Sequence, residues 1–328
     1  MAGPAARVLT LAGSGVRFLG LPMRKPLFLL AVLMLAVSCR SKPSVLVLLD
    51  PYLETLLENR GLAPEALRRG LEEKLRARVL VLDPAKEPMP AVEHLLAELR
   101  PGWAYLSPLL PLDAHVLASR FPEVRIVQEG SGPGPEPNLV RLEFQREEAF
   151  RRAGRAVARL LTQEALRPVL GSGERAAPAV KAAVVLGQPL QAARQRAEAF
   201  RAGFLSAADA ALLLQRDLDT LSDTAKARKV LESLREQGVR VFLLQTYGLT
   251  GFCLEYLRTQ GGLAVLEEPV SGSGYEEQVL LSLQEDLPAA LRLLGGADGQ
   301  TRLEGPVRLA WGKPVRELPP EARALLDE

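Results

Sequence analysis

Short, nearly unbroken apolar runs alternate with amphipathic stretches along most of the chain beyond residue 43. The runs are Val45–Leu49, Val79–Leu82, Trp103–Leu106, Val124–Gln128 and Leu139–Phe144, and after a break Ala182–Leu186, Ala211–Gln215, Val239–Leu244 and Leu263–Leu266. A strand with one wet face alternates apolar and polar residues. A run that is apolar throughout predicts a strand covered on both faces, as in a parallel sheet. The stretches between them read as helices. Over residues 223–237, Ala227, Val230, Leu231 and Leu234 form one stripe at helical spacing, Ser222 or Asp223 supplies a cap, and Gly238 ends the element. Repeated strand–helix units predict an α/β fold with parallel sheets.

The pattern divides the chain. Five strands end near Phe144, with a Gly/Pro-rich turn at Gly130–Pro137 between the fourth and the fifth. A long helix is expected over Arg146–Leu161, then a loose stretch, Arg167–Ala179, before the second strand series. Near the end, Leu280, Leu283, Leu287, Leu291 and Leu294 recur at helical spacing, which predicts a helix bent or interrupted at Pro288. Val307 and Leu309 alternate with polar neighbours, the pattern of an edge strand.

Hydrophobic residues make up 48% of the 328 positions and charged ones 24%, enough apolar surface to bury sizeable cores. Two cysteines exclude a disulfide scaffold. The 41 Lys and Arg nearly balance 39 Asp and Glu, which argues against a nucleic-acid-coating protein. Arg7, Arg17, Arg24 and Lys25 fall within residues 1–38, which hold no acid, so the remainder carries 37 basic against 39 acidic side chains.

That basic segment has the build of a signal. From Met23, two basic residues precede an apolar run, Pro26–Val37, which closes on Ser38 and Cys39. The run is shorter than the roughly 20 residues of a comfortable membrane span. Residues 1–38 are therefore expected to be a signal peptide, with translation starting at Met23. Ala36-Val37-Ser38-Cys39 resembles the lipobox of bacterial lipoproteins, although Ala36 stands where Leu is usual. The resemblance implies cleavage before Cys39 and a diacylglyceryl, palmitate-type anchor on it, with the protein on the extracytoplasmic face of a cell membrane. The competing reading is an ordinary signal or an uncleaved anchor. Cys253 then has no intramolecular partner and suits a buried thiol.

Enzyme constellations are scarce. His94 and His115 sit on expected helices without the cysteine or carboxylate spacing of a metal site and read as structural residues. Cys253 stands at the start of an expected helix, where the dipole lowers a thiol pKa, but Phe252, Leu254 and Leu257 around it read as core. The glycines at 130–134 are interrupted by prolines, and Gly171-Ser172-Gly173-Glu174 lacks the Lys-Ser/Thr of a phosphate loop. Arg151, Arg155 and Arg159 form a helical stripe, with Glu147 and Glu148 placed to pair, and read as a solvated face. No catalytic residue, metal or cofactor is expected. In α/β proteins, ligands lie at the carboxyl ends of parallel strands. Those ends offer Asp50, Tyr52, Ser107 and Gln128 in the first lobe and Gln188, Gln245 and Tyr247 in the second. Tyr52 and Tyr247 suit the two sides of a flat ring, and Asp50, Gln188 and Gln245 suit hydrogen bonds to it. The bland alternative is that each residue simply terminates its strand in solvent.

A signal with a lipobox followed by two α/β lobes resembles the type I periplasmic binding proteins, and within them the basic membrane protein family of nucleoside-receptor lipoproteins. Arg141–Leu161, with an acidic pair before a Phe and a Gly, is similar to that family's strand-then-helix stretch. Ala182–Phe204 is similar to the opening of its second lobe and Gln278–Val315 to its closing segment. The resemblance implies two Rossmann-like lobes joined by a hinge, with residues 39–145 and 276–328 in the first lobe and 146–275 in the second. Ser271–Gly274 has the composition of a crossing between them. It also implies a small polar solute, a nucleoside among the candidates, and the membrane subunits of an ABC-type transporter as partner. Two departures bear on the ligand. Asp50-Pro51-Tyr52 stands where the family offers Asp, Ser, Phe and Asn, and Glu267-Glu268-Pro269 stands where an Asp holds sugar hydroxyls. A lipoprotein that keeps the fold but has lost the ligand, serving a structural or protein-partner role, is the competing reading.

Overall fold

The computed structural model describes residues 44–59, 64–130, 132, 134, 136–170, 180–188, 190–268, 274–296 and 299–327. The expected signal segment, Cys39 and the glycines at 171 and 173 lie outside these. The first sheet has the order β11-β5-β4-β3-β1-β2, from Arg302–Gly305 (β11), Leu139–Phe144 (β5), Arg125–Glu129 (β4), Trp103–Leu106 (β3), Val45–Leu49 (β1) and Ala77–Val81 (β2). Every pairing in it is parallel. The second sheet has the order β12-β10-β9-β8-β6-β7, from Val307–Trp311 (β12), Val279–Glu285 (β10), Leu263–Leu266 (β9), Val239–Gln245 (β8), Lys181–Leu186 (β6) and Leu213–Asp217 (β7). It is parallel except for β12, which runs antiparallel to β10 at the edge.

The unbroken apolar runs are explained by burial on two faces. In β1, Val45, Val47 and Leu49 join one apolar cluster while Leu46 and Leu48 join another on the opposite face. In β8, Val241 and Leu243 likewise part from Phe242 and Leu244. Helices supply the outer layers: Pro51–Asn59 (α1), Pro64–Leu75 (α2), Pro88–Leu99 (α3) and Ala114–Arg120 (α4) in the first lobe, then Arg146–Thr162 (α5), Gln191–Leu205 (α6), Thr224–Glu236 (α7) and Thr250–Gln260 (α8) in the second. Asp223 caps α7 by accepting from the Lys226 N–H at 2.9 Å. Ala227, Leu231 and Leu234 face the core and Val230 is half-buried. No helix among the described residues is long and apolar enough to cross a membrane.

The closing segment differs from expectation. Leu280 and Leu283 belong to strand β10, not to a helix, because Val279–Gln284 is buried at every position and so must be satisfied on both faces. The helical spacing to Leu287 is a coincidence of two abutting elements. Asp286 starts a new helix, Leu287–Arg292 (α9), by accepting from the Ala289 N–H at 3.0 Å. Pro288 falls in its first turn, where proline has no hydrogen bond to lose, and breaks nothing. The division of the lobes shifts accordingly. β10 and β12 complete the second sheet, whereas α9 packs on α2 and β11, and β11 pairs with β5 in the first. The last helices, Lys313–Arg316 (α10) and Pro320–Asp327 (α11), pack on β10 and α5. Residues 286–305, rather than 276–328, thus return to the first lobe. Of the expected crossing at Ser271–Gly274, residues 271–273 lie outside the described ones; β9 and β10, which flank it in sequence, pair with each other in the second sheet.

The chain passes between lobes at Gln145, Asp286 and Pro306, and these points are bonded to one another. The Gln145 N–H donates to the Gly305 carbonyl at 2.9 Å and the Asp286 N–H to the Pro306 carbonyl at 3.0 Å. Behind them α5 and α6 pack tightly. A Cβ built on Gly203 would stand 1.8 Å from the Arg151 carbonyl oxygen, and one on Gly154 2.0 Å from that of Phe200.

Backbone, unlike the tip of a flexible side chain, cannot step aside at those two glycines. Gly203→Ala should cost about 1–3 kcal/mol in chemical denaturation, the usual toll of overpacking. Gly251→Ala, in α8 with nothing within 4 Å of the added carbon, should be neutral or slightly stabilising.

Candidate functional site

Because β5, β10 and β11 all run into the hinge at their carboxyl ends, the two parallel sheets turn their carboxyl edges toward the junction between lobes. The loops leaving those edges are the candidate site.

In the first lobe the polar strand-end residues are turned on one another. Asp50 is 1% exposed. One carboxylate oxygen accepts from the Tyr52 and Leu53 N–H groups at 2.8 and 2.9 Å, capping α1, and the other accepts from the Ser107 hydroxyl. Ser107 is itself buried, and its N–H donates to the Leu48 carbonyl at 2.9 Å. The structure therefore brings Asp50 and Ser107 together as a clamp between the β1 and β3 loops, with their polar atoms engaged within the protein. Gln128 is half-buried, its side-chain oxygen accepting from the Arg141 guanidinium at 2.5 Å. Tyr52, at the start of α1, is 64% exposed.

The second lobe is less self-contained. Gln188 is exposed, with its carbonyl accepting from Leu190 N–H at 2.8 Å. Gln245 ends β8 at 2% exposure, yet neither its side-chain nitrogen nor its oxygen has a hydrogen-bond partner in the protein. An unsatisfied buried amide is costly; one buried oxygen each of Gln163, Asp217 and Gln278 shares that state, but in Gln245 both side-chain polar atoms do. Tyr247, two residues on, is 44% exposed at φ 49°, a left-handed conformation that bulky residues seldom adopt. Such strain persists where the surroundings impose it, and it clusters at binding loops. The loop is held from below by Thr246, fully buried, whose hydroxyl lies 3.0 Å from that of Thr250.

Several residues outside the seven strand-end candidates carry the charge of the junction. Arg146, first in α5, pairs with Glu285 at the end of β10, and Arg196 of α6 pairs with Glu267 just past β9. The Tyr105 hydroxyl donates to Glu129 at 2.6 Å. Burial pushes its phenol well above the ordinary value, and the negative fields of Glu129, then Glu285 and Asp50, push the same way. Beside the hinge a pocket of about 540 Å³ is lined from both lobes, by Glu143, Gln145, Arg302 and Glu304 on one side and Arg146, Glu147, Glu148, Arg151, Gln195 and Arg196 on the other. None of the seven strand-end candidates lines it. The acidic pair at 147–148 was visible in the sequence, but only as salt bridges on a helix. Glu148 does pair with Arg151 at 2.6 Å and Arg155 at 3.3 Å. Arg302 pairs with Glu143 at 2.9 Å.

Other candidate chemistry is quiet. His94 stands exposed beside Glu98 at 3.7 Å, and His115 lies 2.8 Å from Glu136. No cluster of three metal-ligating residues occurs among the described residues. Burial pushes the Cys253 thiol up to about 11, against the lowering expected at a helix start. It is a core residue.

Two lobes of parallel sheets, helices on both faces and a hinge of repeated crossings define the type I periplasmic binding protein fold. Solved structures of that build resemble this chain. An ABC transporter solute-binding protein from Conexibacter woesei DSM 14684 matches at 14% identity and a TM-score of 0.58, over 86% of this chain and 93% of that one. A transcriptional activator of the comK gene from Bacillus halodurans matches at 16% identity and a TM-score of 0.55, over 86% and 94%. No protein-family model and no curated protein matches the sequence. At such identities the likeness establishes the fold alone.

Asp50→Ala removes a helix cap and strands a buried hydroxyl, so about 2–4 kcal/mol of stability should disappear in a urea titration. Asp50→Asn keeps the capping oxygen and should lose less than half as much. Equal losses would show that the cap contributes little.

Proposed function

We propose that this protein is a lipid-anchored extracytoplasmic receptor that holds a small polar solute between its lobes and presents it to the membrane subunits of a transporter, without catalysing a reaction. The observation that carries the reading is the hinge. Crossings at Gln145, Asp286 and Pro306 set the carboxyl edges of two parallel sheets against one junction, with a pocket lined from both sides. Solute-binding proteins share this fold, as the Conexibacter woesei protein does. Gln245 and Tyr247 are the first residues we assign to the solute, one for its unpartnered amide and the other for its exposed, strained ring. Tyr52 and Gln188, also exposed at strand ends, are assigned next. The anchor is assigned to Cys39, after a signal peptide over residues 1–38.

The resemblance to nucleoside receptors puts nucleosides into the first panel of solutes. The departures at Asp50–Tyr52 and Glu267–Glu268 open that panel to sugars and amino acids. A second reading keeps the fold and the anchor but no ligand. It is favoured by the clamp between Asp50 and Ser107, which engages within the protein the residues that would greet a solute in the first lobe.

Thermal melting against nucleosides, sugars and amino acids separates the two. One solute at a hundred times its Kd should add about 2.7 kcal/mol, a shift of several degrees. Tyr247→Ala should abolish that shift while melting within a few degrees of the parent, because the ring is exposed. If no solute shifts the melt, the ligand-free reading takes over. For the anchor, Cys39→Ala expressed in a bacterium should leave the protein unacylated. Full partition of that variant into the detergent phase at the mature mass would overturn the lipid assignment.

A further inference from the structure

Single exposed apolar side chains are ordinary on a protein surface; what carries information is where they gather. Seven large hydrophobic residues are exposed among the described residues, and five of them fall between a strand's carboxyl end and the first turn of the next helix: Tyr52 after β1, Leu109 after β3, Leu190 after β6, Leu221 after β7 and Tyr247 after β8. These strands are neighbours within their sheets, β3 beside β1 in one lobe and β8-β6-β7 in the other. They are also the strands away from the hinge, since the crossings leave from β5, β11 and β10 at the opposite side of each sheet. The hinge side has the contrary character. Its pocket is lined by Glu143, Glu147, Glu148 and Glu304 together with Arg146, Arg151, Arg196 and Arg302, four charges of each sign. By sheet order, then, the junction is ionic beside the hinge, and after the strands farther from it both lobes carry exposed apolar side chains beside the amides of Gln188 and Gln245.

We infer that the solute is itself graded: a dipeptide with an apolar side chain, its charged termini in the Glu/Arg pocket and its aromatic or branched aliphatic body against Tyr52, Leu109, Leu190 and Tyr247. This rests on reading the junction as a solute site. A pair of termini carrying both signs exchanges an existing Glu–Arg pair for two new ones and adds no net charge to a lining that is already balanced, whereas a lone ion would leave one uncompensated. The body follows from distance. Adjacent strands stand about 4.8 Å apart, so the β3 and β1 loops lie roughly 10 and 14 Å from β5 at the hinge. A solute that touches both ends must be about the length of a dipeptide. A uniformly polar solute of that length would desolvate its own hydroxyls against leucine. An apolar body covering about 50–100 Å² there is worth on the order of tenfold to a hundredfold in Kd.

Calorimetric titration of the full chain with glycylglycine, glycylleucine and glycylphenylalanine holds the termini constant while the body grows. Glycylphenylalanine should bind at least tenfold more tightly than glycylglycine. Leu109→Ser, at a residue 55% exposed and so harmless to folding, should shrink that gap several-fold without changing the affinity for glycylglycine. Equal affinities across the series would overturn the inference. So would a Leu109→Ser variant that weakens every dipeptide alike, because Leu109 would then be a contact between closing jaws. If a nucleoside or sugar binds and no dipeptide does, the inference falls and the solute-binding reading stands. If nothing in either panel binds, both fall.

Discussion

The architecture hangs on the place where Gln145, Asp286 and Pro306 run side by side. Two backbone hydrogen bonds, Gln145 to Gly305 and Asp286 to Pro306, tie the crossings together at their narrowest point. A single crossing would let the lobes swivel freely. Bonded crossings restrict them to motion about one line, and they fix which edges meet, since the strands that feed the hinge do so from their carboxyl ends. Everything assigned to the site inherits its position from that restraint. The apolar core follows it too: one buried cluster contains Val127 and Phe144 from the first lobe and Leu283 and Val307 from the second.

Much of this architecture was legible because parallel strands buried on both faces leave an unmistakable trace. Val45–Leu49 and Val239–Leu244 could hardly be read otherwise, and Asp223 and Gly238 bracket α7 with chemistry local to the chain. The closing segment was harder for a physical reason. Leucines at 280, 283, 287 and 291 satisfy a helical period, and only the continuous burial of Val279–Gln284 reveals that the first two belong to a strand. The signal for the boundary was present in Asp286 and Pro288, a cap followed by a first-turn proline. Read as a kink, the same proline joins the two elements; read as a start, it parts them. β11 escaped because Arg302–Gly305 is short and exposed at alternate positions, and its partner β5 is more than a hundred and fifty residues away.

The strand ends that build the candidate site were legible in the sequence, and the state of the side chains on them much less so. Strand carboxyl ends are a sound guide to where ligands lie, but the same positions must also begin helices, and a helix beginning needs a side-chain acceptor. Asp50 meets that need, so a residue type suited to ligand binding is occupied by the fold. Ser107 completes the arrangement. Sequence cannot distinguish the two uses, because both call for a small polar residue directly after a strand. The charged residues beside the hinge were hidden for the opposite reason. Glu148 and Arg151 look like any helical ion pair until α6 and β11 are brought across from elsewhere in the chain to face them.

Satisfaction, rather than polarity, is therefore what sets Gln245 apart from Asp50 and Ser107 among the strand-end candidates. Asp50, Ser107 and Thr246 are buried with their hydrogen bonds made, and they hold loops in place. Gln245 is equally buried with its hydrogen bonds unmade. Tyr247 sits above it in a backbone conformation that costs on the order of 1 kcal/mol or more for a non-glycine residue. A fold under no further demand would have little reason to keep both, since an apolar residue at 245 and a glycine at 247 would each relieve a local penalty. The two penalties fall two residues apart at the carboxyl end of β8, at the edge the hinge turns toward the first lobe. Unsatisfied buried oxygens also occur at Gln163, Asp217 and Gln278, so it is the coincidence of an unpartnered amide with an exposed, strained tyrosine at one strand end that supports assigning this pair to a solute.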